Sequence, residues 1–325
     1  MIIDIHAHLW ADPAAQRARA AVAGVDTTVL LSTRFHPESA VALDGLRREF
    51  ARLLSGLDGG ANGQSDPADS YVRSTAELIA ALDAAPAGAV GFAAGPTADP
   101  AGARELIENQ LLNPSIVGIG EITPAGGHGA DLEPFLQIAS DHAGLPVLAH
   151  GFAPNTVQDI RTYADLAARY PRVPLIVGAF GGMSAMTLVE LAAQRPNLYL
   201  DLSSALQVFM VRAAAATVPE QCLFGSNSPY GDPLASRSTV EAAVSDPAVR
   251  DRLLGLNAAG LLGLTASSAS PPPRPAVSSR PPRAGPPSPT RPATGPPRHG
   301  PRPVAEQRRP PARLGARSPG RASGR

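Results

Sequence analysis

Lysine is absent from this 325-residue chain, and all 28 of its basic residues are arginine. That excludes a Schiff-base lysine, a carboxylated-lysine metal bridge and a phosphate-loop lysine. Cysteine is nearly as scarce. The single one, Cys222, rules out an intramolecular disulfide and any cysteine-built zinc cluster. No apolar run is long enough to cross a bilayer, and no charged segment leads into a short apolar one as in a secretory leader. The expectation is a soluble, cytoplasmic protein. No Gly-x-Gly-x-x-Gly follows the first apolar run, so the main signature of an open dinucleotide-binding sheet is missing too.

Acidic residues also number 28, but the zero balance conceals two unlike parts. From Ser267 onward there are twelve arginines and one acidic residue, Glu306, amid Pro-, Ser-, Ala- and Gly-rich sequence. Residues 1–266 are left with a net charge of −11. The 267–325 segment has almost no large apolar side chains, and its prolines forbid helix interiors, so a disordered basic tail is expected. The other reading of it is a basic arm for nucleic acid or acidic surfaces. For residues 1–266 neither a nucleic-acid nor a membrane partner is expected, and a hydrophobic content of 44% over the chain is enough for a sizeable core.

Short apolar or β-branched runs recur at Ile2–Ile5, Thr27–Leu31, Ala89–Ala93, Ile116–Gly120, Pro146–Ala149, Pro174–Val177, Leu198–Leu202 and Gln221–Phe224. Segments with helical spacing lie between them, among them Asp99–Leu112, Leu132–Ala143, Thr156–Tyr170, Ser184–Gln194 and Asp246–Leu264. Asp99-Pro100 and Asp246-Pro247 put Asp at an N-cap and Pro at the first helical position. Eight strands alternating with helices have the rhythm of a (β/α)8 TIM barrel, an α/β fold. The Gly-, Asp- and Ser-rich stretch Ser55–Ser70 reads as a flexible insertion in the second βα connection.

In such a barrel the chemistry sits at the C-terminal strand ends. The first strand ends in His6 and His8, which share one face of a strand at i and i+2. The second ends near Arg34 and His36, the fourth at Glu121, the fifth at His150, the sixth at Ala179, the seventh at Asp201 and the eighth at Asn227. Three imidazoles and a carboxylate from strand ends can converge on one cation.

The motifs IDIHAHLW, GIGEI, LPVLAHG, PLIVGAFGG, PNLYLDLSS, LFGSNSPY and LLGLNAAGLLGL together resemble the amidohydrolase superfamily. The likeness is to the amidohydrolase-related branch that includes aminocarboxymuconate-semialdehyde-decarboxylase-like proteins. It spans residues 1 to about 264. The resemblance implies that His6, His8 and His150 are metal ligands, and that Glu121 matches the acidic strand-four ligand of TatD-like relatives. It also implies one divalent ion, zinc by expectation, and a homodimer as one state of assembly. Two positions depart from the pattern. Ala179 stands where the family usually has a histidine, and Asn227 stands where it has an aspartate that binds metal and takes a proton from water.

The main expectation is therefore a metal-dependent hydrolase acting on a small polar or carboxylated molecule through activated water, with Glu121 as the surviving base and Asn227 beside it. A non-oxidative decarboxylase on the same barrel is the alternative, and a degenerate barrel that binds without turnover is the third reading. Arg34, His36 and Asp201 are candidates for contacting substrate, Arg34 because guanidinium forms bidentate pairs with carboxylates. Asp232 reads as a turn residue, His128 as a surface histidine, and Cys222 and Trp10 as packing residues.

Overall fold

The structure, a computed structural model, describes residues 1–57, 67–85 and 88–264. The expected tail 267–325 and residues 58–66 of the expected insertion lie outside the described residues. Eight strands, β1 (Ile3–His8), β2 (Thr27–Leu31), β3 (Ala89–Ala93), β4 (Ile116–Ile122), β5 (Val147–Ala149), β6 (Leu175–Val177), β7 (Leu198–Asp201) and β8 (Cys222–Leu223), pair in parallel in chain order. The circle is closed by backbone bonds from Ile5 N–H to the Phe224 carbonyl (3.0 Å), from Asn227 N–H to the His6 carbonyl (2.7 Å) and from His8 N–H to the Ser228 carbonyl (2.7 Å). The expected TIM barrel is the observed fold.

Helix α1 (Pro13–Val22) follows β1, and α2 (Leu43–Leu57) and α3 (Pro67–Asp83) both lie between β2 and β3. The expected insertion therefore begins inside one helix and ends inside another. Helices α4 (Pro100–Gln110), α5 (Glu133–Asp141), α6 (Val157–Arg169), α7 (Ala185–Ala192) and α8 (Val208–Thr217) follow β3 to β7 in turn. After β8 come α9 (Pro233–Ala243), α10 (Pro247–Asp251), a π-helical turn (Arg252–Leu256) and α11 (Asn257–Leu262), where sequence spacing suggests one helix over Asp246–Leu264. Four of these helices start on the same device. Asp12, Asp99, Asp232 and Asp246 each accept backbone N–H bonds as N-caps, with a proline next in line. Asp232 is thus a cap, and it also pairs with Arg19 at 2.7 Å. Among the described residues, no helix is long and apolar enough to cross a membrane.

Two apolar layers form. Val147, Leu175, Val177, Leu198, Leu200 and Cys222 face the helices, whereas Ile3, Ile5, Val29, Leu31, Leu148 and Ile176 fill the barrel. This alternation would send His6 outward with Asp4, away from the interior that Ile3 and Ile5 occupy. The register of β1 against β2 slips between Asp4 and Ala7, however: three residues advance on β1 for two on β2. A second slip lies in β4 between Ile119 and Ile122, against β5. An extra residue re-aims the side chains that follow it, and these two slips bracket His6 and Glu121. Gly120, at φ +149, makes the second one possible, because a Cβ there would stand 2.7 Å from the Leu148 carbonyl oxygen.

Candidate metal centre

His6, His8 and Glu121 each bring one donor atom into a group whose members all lie within 4.8 Å of one another. The Nε2 atoms of His6 and His8 are 3.3 Å apart. Glu121 Oε2 lies 3.9 Å from His6 Nε2 and 3.6 Å from His8 Nε2. A tetrahedral ion with ligands at about 2.1 Å separates them by roughly 3.4 Å, so the group already has nearly the spacing of a coordination shell. Asn227, which lines the same cavity, offers a further donor: its Nδ2 donates to Ser204 Oγ at 3.0 Å, while its Oδ1 is buried and lacks a hydrogen-bond partner. An orphaned buried acceptor beside two imidazoles and a carboxylate fits a divalent cation.

His6 and Glu121 are each oriented from behind. His6 Nδ1 lies 2.7 Å from Asp201 Oδ2, and that carboxylate is held in turn by the Ala179 N–H (2.9 Å) and the Ser203 N–H and hydroxyl. Asp201, expected to contact substrate, is instead fully buried behind His6. Ala179 sits in a run from Ala179 to Gly182 with positive φ, which turns its N–H onto Asp201. Gly178, just before it, leaves room for the donors: a Cβ there would be 3.2 Å from Glu121 Oε1 and 3.4 Å from His6 Cε1.

His150, expected among the ligands, is placed differently. Its Nδ1 lies 2.9 Å from Glu121 Oε1 and its Nε2 lies 3.2 Å from the Ala153 carbonyl oxygen. Both ring nitrogens face acceptors, which favours the doubly protonated imidazolium. Burial alone would lower the His150 pKa, but the Glu121 carboxylate raises it above the ordinary value. Burial likewise works against ionisation of Glu121, yet the His150 and His6 rings hold its carboxyl well below the usual carboxylate range. Burial takes His8 down to about 4, keeping it neutral as a ligand must be, and Glu121 only partly offsets this. Burial works against ionisation of His6, yet Asp201 and Glu121 hold it up at about 9, so a cation bound at its Nε2 takes the place of that proton. Asp4, beneath the site, is raised to about 6 by burial while it accepts from the Ser226 and His6 N–H groups.

His8, Glu121, His150 and Asn227 form the floor of a cavity of about 590 Å³. Arg34 lines its wall, with the guanidinium 4.6 Å from the Tyr71 ring and 5.3 Å from the Phe35 ring. His36 does not line the cavity: it faces Glu38 at 3.2 Å. His128 is exposed on its loop. Trp10 donates to Ser228 Oγ at 2.8 Å beside the mouth, and Cys222 is buried in β8. Sequence reasoning missed the apolar wall over the floor, supplied by α2. The leucines of LDGLRREFARLLSGL at helical spacing were its signal.

No curated protein matches the chain. Among solved structures, 5-carboxyvanillate decarboxylase from Sphingomonas paucimobilis is similar at a TM-score of 0.60 and 15% identity, covering 81% of this chain and 99% of that one. A 2,6-dihydroxybenzoate decarboxylase complexed with 2,6-dihydroxybenzoate gives 0.56 and 14%, with 81% and 99% covered. A dihydroxybenzoic acid decarboxylase from Polaromonas sp. JS666, with bound manganese and the inhibitor 2-nitroresorcinol, gives 0.57 and 17%, with 82% and 98% covered. At these identities the likeness shows the shared fold. The Amidohydrolase family matches residues 3–264, nearly the whole described barrel. The chain therefore belongs to the amidohydrolase family.

Proposed function

We propose that this chain is a cation-dependent, non-oxidative decarboxylase of a small carboxylic acid. One observation carries the reading: among the described residues of the cavity floor, His150 has both ring nitrogens against oxygen acceptors, as a proton donor does, while His8 and Glu121 belong to the cation-donor group. His150 presents N–H groups to Glu121 and to the Ala153 carbonyl, Glu121 is engaged by that ring, and position 227 is an amide. Hydrolysis through activated water needs a group that takes a proton, whereas loss of CO2 needs one that gives a proton to the vacated carbon. The decarboxylase alternative thus suits the floor better than the hydrolase expectation.

His6, His8 and Glu121 would hold the cation, with Asn227 Oδ1 within the same shell. A divalent cation bound there supplies Lewis-acid polarisation of a substrate oxygen. Arg34 binds the acid and orients it, and the apolar walls exclude water around a carboxylate that becomes neutral CO2 on leaving. When the carbon–carbon bond breaks, its electron pair stays on the substrate carbon and takes the proton from His150, while Glu121 keeps the ring in place. The donor set suits zinc and manganese alike. The structural neighbours support the reading, since the three named above are described as decarboxylases and one of these carries manganese.

The test loads the chain with zinc or manganese and offers hydroxylated aromatic acids beside simple esters and lactones. CO2 release from an acid is the expected result. Ester or lactone cleavage without CO2 would return the protein to hydrolysis, and no turnover of either class would favour the binding-only barrel.

A further inference from the structure

Helix α2 is built in a way that the barrel does not require. None of its residues is buried, yet Leu46, Phe50, Leu53, Leu54 and Leu57 fall at i, i+4, i+7, i+8 and i+11, on one face of the helix. All five line the cavity whose floor is His8, Glu121 and His150. Charge is kept off that face: Asp44, Arg47 and Arg52 pair with one another or with Glu49 on the helix surface. Leu46, Phe50 and Leu54 nevertheless leave 37%, 43% and 57% of their surface in contact with solvent. An amphipathic helix ordinarily buries its apolar face against the core. Here that face is turned over the cavity and left half wet, so an apolar group that enters gains burial against it.

We infer that the α2 wall is a specificity site for an apolar extension of the substrate, and that the preferred acids carry an alkyl or aryl group of several carbons beyond the end bound at the floor. The inference rests on the reading that an acid is bound at that floor. A small molecule is the occupant that fits, because the wall and the floor belong to one cavity of about 590 Å³, within the range of small-molecule sites. Tyr71 and Ser74 of α3 also line this cavity, so α2 does not stand as an open face.

The test is a binding series on the zinc-loaded full chain, from acetate to octanoate, followed by calorimetry. The dissociation constant is expected to fall about fourfold for each added methylene, the fold-change that corresponds to about 0.8 kcal/mol. In Phe50→Ser and Leu54→Ser, both at solvent-contacting positions, the slope should flatten while zinc content and helical circular dichroism stay unchanged. A flat series in the parent chain, or a slope unaltered in both variants, would overturn the inference. Binding is read without turnover, so the two readings can fail separately. A steep slope with no CO2 release sinks only the reaction, and CO2 release from short acids with a flat slope sinks only the wall.

Discussion

Asp201 Oδ2 lies 2.7 Å from His6 Nδ1, and this bond leaves the other nitrogen of the ring pointing at His8 and Glu121. The carboxylate fixes both the tautomer and the tilt of the ring, as partners behind a ligating histidine do. Asp201→Ala should therefore weaken cation binding by roughly 10- to 100-fold, measured by competition against a chelator. A change of less than twofold would show that His6 is aimed by something else.

His150 and the donor set can be separated by substitution. His150→Gln keeps a hydrogen-bonding side chain beside Glu121 but removes the proton donor. Turnover should fall by about 10²- to 10⁴-fold, while the bound cation is retained. Loss of the cation together with activity would restore His150 as a ligand.

Room beneath the donors is as much a part of the site as the donors. The Cβ of Gly178→Ala would stand 3.0 Å from the Ala149 carbonyl oxygen as well as close to Glu121 and His6. Overpacking of this kind costs about 1–3 kcal/mol, which a denaturant titration would read, and it should displace Glu121 enough to lower cation occupancy. Unchanged stability and occupancy would contradict the packing described.

Asp159 ties the loop after β4 to the start of α6. It is buried and accepts from the Gly127, Gly129 and Thr156 N–H groups and from the Thr156 hydroxyl. Burial opposes its ionisation, but these bonds prevail and hold its pKa below the ordinary 3.8. A carboxyl depressed in the folded state contributes stability that is present above its unfolded value and is lost as pH falls through the folded one. Asp159→Asn should lower stability by about 1–3 kcal/mol at neutral pH and leave a shallower loss below pH 4. Parallel acid limbs for parent and variant would refute this.

Much of the barrel was readable because parallel strands covered on both faces appear as plain apolar runs. Val147–Ala149 and Leu175–Val177 are examples. The reading stopped short where strands carry the site: β1 continues through His8 and β4 through Ile122, because polar residues enter the interior there. The spacing of His6 and His8 showed that they share a face, but only the register slip in β1 decides that the face is inward. Asp201 misled for a related reason. An aspartate ending a strand looks the same in sequence whether it meets substrate or the back of a histidine. The two acceptors around His150 come from β4 and from the loop after β5, and local sequence does not reveal that convergence.

In the proposed reaction the floor of this cavity donates a proton to carbon while CO2 departs. Mass spectrometry of the reaction tests it most directly, with the cation-loaded chain turning over in D2O and, in parallel, in H2¹⁸O. The expected product is lighter by CO2, carries one deuterium at the vacated carbon and has no ¹⁸O. A product that keeps its carboxyl carbon and gains ¹⁸O from water would contradict it.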